Sequence, residues 1–168
     1  MNKIKIYNLK IIYEKNSTIF LQVVLVLIGI GTLVLMLRLP LYEGRNVNAT
    51  LFQVYFNDPF LAYAYASSIA FFLALFEAFK LLRYIGHNQV FTLKSVKALR
   101  TIKYCALSLV GLILAPVALL FIVRPEDDIA GGVAGGLFLL FVSTIIATAA
   151  AIFENFCKPL SILNPKTI

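Results

Sequence analysis

Four stretches of this 168-residue chain run for eighteen residues or more without Asp, Glu, Lys or Arg: Asn16 to Leu37, Pro59 to Phe76, Tyr104 to Val123 and Ile129 to Phe153. A helix needs roughly 20 predominantly apolar residues to cross a hydrocarbon core, and each stretch falls near that length. A transmembrane barrel would show short alternating segments instead. Hydrophobic residues make up 61% and charged residues 14%, too apolar a balance for a soluble domain of this size to bury. The expected fold is therefore all-α, an integral membrane four-helix bundle. It forms one four-span domain over 1–168, with spans at about 18–37, 59–79, 104–123 and 129–153.

Basic residues set the direction of threading. Lys3, Lys5, Lys10 and Lys15 precede span one; Lys80, Arg83, Lys94, Lys97, Arg100 and Lys103 lie between spans two and three; Lys158 and Lys166 follow span four. Only Arg38, Arg45 and Arg124 fall on the other side, so the split is twelve against three. The positive-inside rule then puts both termini and the middle loop in the cytoplasm, in a multi-pass protein of the cell (inner) membrane. The net charge of +7 is a topology signal, and direct nucleic-acid binding is not expected. Span one is too long for a secretory signal, and Arg38-Leu39-Pro40 follows it in place of a small-residue cleavage site. Cys105 and Cys157 fall near cytoplasmic helix ends and should be reduced thiols; acylation of Cys157 is the lesser alternative.

The segments between the spans carry the remaining signals. Residues Leu51 to Phe56 form an apolar patch in the external segment, suited to folding back on the bilayer surface, and Asn48-Ala49-Thr50 matches a sequon of low specificity. Gly86-His87-Asn88-Gln89 reads as a turn ending the second helix, with Thr92 as N-cap of the next. At 100° per residue, Val96, Ala98, Leu99 and Ile102 share one arc, and Lys94, Lys97 and Arg100 the opposite one. This predicts an amphipathic interfacial helix between spans two and three, its basic face toward anionic headgroups of the lipid bilayer. It is an anchoring elbow or, alternatively, a docking surface for a cytoplasmic partner. The N-terminal Ile4, Ile6, Leu9, Ile11 and Ile12, mixed with lysines and tyrosines, suggest a second interfacial segment.

Ionisable groups inside the membrane are the default functional candidates. Glu77 and Glu154 come nearest, at the cytoplasmic ends of spans two and four. Ion pairs with Lys80 and Lys158 account for them; a shared cation or proton site is the alternative. His87 is the only histidine and cannot by itself make a metal site or a catalytic triad. No catalytic residue, metal site or cofactor is expected, and the chain reads as a non-enzyme. Gly131, Gly132, Gly135 and Gly136 give two overlapping GxxxG patterns, and four-residue steps continue to Ser143, Ala147 and Ala151. Such a stripe lets another helix approach closely, within the monomer or in a homo-oligomer, with Gly135 a position where a large side chain would push helices apart. Pro116 should bend span three.

Span two, a basic linker, Val90-Phe91-Thr92, then Val96, Leu99-Arg100 and Ile102 leading into span three resembles the bacterial family designated domain of unknown function 2975, as does the closing Thr167-Ile168. The tail departs from that pattern: it has Pro159 and Pro165 and lacks the usual acidic run. The resemblance supplies no activity or catalytic residues. It implies, as a cytoplasmic partner, the small helix-turn-helix regulator beside which members are often encoded. The leading expectation is a regulatory or accessory subunit acting through protein contacts; the alternative is a transporter or channel component using an acid at the inner mouth. Reporters fused after Ile168 or within Gly86 to Gln89 should read cytoplasm and reporters near Asn48 the outside; an external C-terminus would contradict the assignment.

Overall fold

A computed structural model describes the backbone of residues 2–42, 59–123 and 130–163, and side chains over 16–38, 62–118 and 131–163. The patch at Leu51 to Phe56, the sequon at Asn48, the acidic turn after Arg124 and the closing Lys166-Thr167-Ile168 lie outside the described residues. The described chain is all-helical: α1 (Asn2–Tyr42), α2 (Pro59–Gly86), α3 (Leu93–Val123) and α4 (Ala130–Leu163). Each contains a segment long and apolar enough to cross a membrane: Asn16–Arg38, Ala62–Gly86, Leu93–Ala118 and Gly131–Leu163. In lipid, helices are the only open chain segments that satisfy their own backbone hydrogen bonds, and four apolar helices make a four-span membrane protein. Exposed Phe20, Ile30, Ile69, Phe138, Phe141 and Ile152 are what lipid-facing surfaces require.

All four helices run further than their apolar stretches, α2 to Gly86. The basic turns expected as a separate interfacial helix are continuous with span three, and the N-terminal segment is continuous with span one. Neither junction holds a glycine or proline, so nothing interrupts the backbone ladder. The fourth helix passes Phe153 and continues through Pro159 to Leu163, as α3 continues through Pro116.

The described residues divide into two compact units. One comprises α1 with both ends of α2 (59–66 and 79–90); the other comprises the middle of α2 (67–78) with α3 and α4. In the first unit α1 and α2 run antiparallel, touching at two levels. A Cβ on Gly86 would stand 3.3 Å from Thr18 Cγ2, so glycine lets the helices approach there. At the other level the Tyr65 hydroxyl donates to the Met36 carbonyl at 2.8 Å. Thr18 and Met36 are separated by about 27 Å of helix, close to the thickness of a hydrocarbon core. The second helix ends in a Schellman motif. Gln89 N–H donates to Tyr84 O at 2.8 Å and Asn88 N–H to Ile85 O at 3.0 Å, with Asn88 left-handed at φ 56°. Thr92 then caps α3, its Oγ1 accepting from Ser95 N–H at 3.4 Å.

In the second unit α3 and α4 pack along a seam of small side chains. On α4 the buried positions are Ser143, Ala147, Ala150, Glu154, Cys157 and Ser161, in steps of four and three. On α3, Ser95, Ala98, Ile102 and Cys105 repeat with the same rhythm, flanked by buried Val96, Leu99 and Ala106. This is the 3.5-residue period of left-handed helix pairs. Strict four-residue steps turn 400° and drift around the helix. The buried face accordingly passes through Ala150 and Glu154, and Ala151 lies at its edge.

The glycines divide along the same seam. A Cβ on Gly136 would come within 2.7 Å of Val117 Cγ2, whereas one on Gly131, Gly132 or Gly135 would meet nothing within 4 Å among the described residues. Intrachain packing thus falls on Gly136, and the expected effect of a bulky residue moves there from Gly135. Gly136→Leu should lower the melting temperature in detergent by overpacking worth roughly 1–3 kcal/mol, while Gly135→Leu leaves the monomer's stability near wild type. Equal losses from the two substitutions would contradict this seam.

Candidate functional site

The polar centre of the α3–α4 seam is Glu154. It occupies a core position of the repeat and is only 4% exposed. A carboxylate placed there without a cation would cost several kcal/mol of lost hydration. Two cations from α3 meet it. Arg100 Nε donates to Oε1 at 2.8 Å and Lys103 Nζ donates to Oε2 at 2.6 Å. The two bases are three residues apart, so they stand on one side of α3 and reach one oxygen each. Lys103 Nζ also lies 5.0 Å from the Tyr104 ring centroid, a cation–π distance.

This geometry corrects one expectation. Glu154 does not pair with Lys158 on its own helix; Lys158 is exposed, and the partners come from the neighbouring helix. The repeat turns Glu154 inward, and an i,i+4 pair on the outer surface is then out of reach. Arg100 is correspondingly only partly a surface cation, with half its side chain exposed and its Nε committed to Glu154. Glu77, on α2, is half-buried.

Lys94 and Lys97 remain exposed on the outside of the first turns of α3. The arc opposite them, Val96, Ala98, Leu99 and Ile102, is buried. The amphipathic division read from the sequence therefore holds, although on a helix continuous with a span. Thr92 caps this basic end, Glu154 holds it from below, and Phe91 meets Phe156 of α4 at 6.4 Å between ring centroids. The cations thus project from backbone fixed at several points.

Cys105 and Cys157 are free thiols buried in the seam, so Cys157 is not presented for acylation. Ser108, Thr144 and Thr148 donate to carbonyls of their own helices. His87 is exposed in the turn after α2. Among the described residues no three of His, Cys, Asp and Glu gather as a metal set, and no buried side-chain nitrogen or oxygen lacks a hydrogen bond.

A sequence profile described as "Protein of unknown function (DUF2975)" matches residues 48–156, which include α2, α3, Glu154 and both of its partners. The chain belongs to this family. It is 39% identical over 147 residues to the "Uncharacterized membrane protein YoaS" of Bacillus subtilis (strain 168), an alignment covering 86% of this chain and 91% of that protein. No solved structure matches it.

Lys103 is the residue that sequence reading missed, having been counted only among the basic residues between spans two and three. The available signal was the phase of Glu154: a carboxylate in step with Ser143, Ala147 and Ala150 needs cations on the facing helix, and Arg100 and Lys103 share the side adjoining its buried arc.

Proposed function

We propose that this protein is a non-enzymatic regulatory or accessory subunit of the bacterial inner membrane, with both termini cytoplasmic, that acts by docking an acidic cytoplasmic partner on the basic first turns of α3. The observation that carries this reading is the rigid presentation of Lys94 and Lys97. They stand exposed on a capped helix end whose other face is buried and whose next basic residues are tied to Glu154. Pre-organised charge loses little freedom on binding, which favours a specific contact over diffuse attraction. The family resemblance suggests a helix-turn-helix regulator as that partner. A transporter or channel reading would use Glu77 or Glu154, but each oxygen of Glu154 already accepts from a cation, which offsets the charge that would draw a passing ion.

Neutralising Arg100 would also disturb the seam, so the informative variant spares it. With each lysine acting at about 1 kcal/mol, Lys94→Gln with Lys97→Gln should weaken partner binding about thirtyfold. Membrane insertion and melting temperature should be unchanged. Affinity purification from native membranes should recover a stoichiometric acidic cytoplasmic protein with the wild type and lose it with the double variant. Its undiminished recovery with the double variant would leave the anchoring role alone.

A further inference from the structure

A second basic feature lies in the first unit. A cleft of about 260 Å³ opens where α1 enters its apolar segment and α2 ends, lined by Thr18, Ile19, Gln22, Phe79, Arg83, Gly86 and His87. Its depth is given by the helices themselves. The apolar segment of α1 begins at Asn16 and that of α2 ends at Gly86, so the cleft sits where hydrocarbon gives way to headgroups. Gly86 brings Thr18 close and forms the floor. Two chemistries share the lining. Arg83 supplies a fixed cation with N–H donors, His87 an imidazole N–H, and Gln22 a side-chain amide. Ile19, about half exposed, and Phe79 supply an apolar wall. Among the described residues no carboxylate lines the cleft and Arg83 makes no ion pair.

Attraction between Arg83 and the end of the α2 dipole explains the arginine's position, but not the opening beside it or the apolar wall. We infer that the cleft binds one anionic phospholipid. Its phosphate is held by Arg83 and His87, with the planar guanidinium suited to two oxygens at once, and its glycerol and upper acyl carbons lie along Ile19 and Phe79. A free phosphate would use the same donors and leave the apolar wall wet, so the wall selects the lipid.

Native mass spectrometry of the full chain, released from detergent with added phosphatidylglycerol or phosphatidylcholine of identical acyl chains, tests this. The wild type should retain one phosphatidylglycerol in preference to phosphatidylcholine. Arg83→Gln should weaken that retention about fivefold, the factor expected for one headgroup contact. Arg83→Lys, which keeps the charge, should restore part of it. Lys94→Gln with Lys97→Gln should leave it intact, since those residues do not line the cleft. Unchanged retention in Arg83→Gln, or an equal loss in the lysine variant, would overturn the assignment. Displacement of the lipid by millimolar inorganic phosphate would assign the donors to a soluble phosphate and overturn the lipid reading.

Discussion

The carboxylate of Glu154, held between Arg100 and Lys103, is the interaction on which the α3–α4 pair depends. Most of the seam is made of small side chains, with Ile102 among them, that attract by close contact. A buried carboxylate adds a stronger condition. It is tolerated only where two cations reach it, and sliding α4 by one turn would remove them. The ion cluster therefore selects the register and the small side chains supply the contact. Gly136 against Val117 then closes the seam toward the other end of the pair.

The first unit solves the same problem with fewer polar groups. Its antiparallel pair is fixed at Thr18 with Gly86 and at Tyr65 with Met36, contacts separated by roughly the thickness of a membrane core. Between them α1 carries mostly apolar side chains suited to lipid. At its Gly86 end, the Asn88 turn stops α2 cleanly and Thr92 starts α3 four residues later. The basic residues around that turn thus serve separate ends: Arg83 beside the cleft, Arg100 and Lys103 in the seam, and Lys94 and Lys97 on the surface.

Much of this was legible in the residues. Charge-free runs located four helices because hydrocarbon tolerates little else, and the Phe91-Thr92 start and the division of Val96, Ala98, Leu99 and Ile102 from the lysines survived intact. Helix continuity was not legible from hydropathy, which reports where lipid lies and says nothing about whether the backbone ladder breaks there. The absence of glycine and proline between Leu93 and Lys103 was the better guide. The glycine stripe misled for a geometric reason: four-residue steps look regular in the chain but rotate away from a partner, so Gly135 and Ala151 stand off the line on which Gly136 and Ala150 lie. Glu154 was assigned to the wrong partner because a pair within one helix is visible in sequence and a pair across two helices is not.

The most direct measurement is a double-mutant cycle on Glu154 and Lys103, with Arg100 left in place, read by reversible unfolding in detergent. If the pair sets the packing of α3 on α4, Glu154→Gln and Lys103→Gln should each destabilise the protein, and the double variant should lose less than their sum by about 0.5–3 kcal/mol, the range for groups in direct contact. Strictly additive losses, or a Glu154→Gln variant as stable as the wild type, would contradict the account.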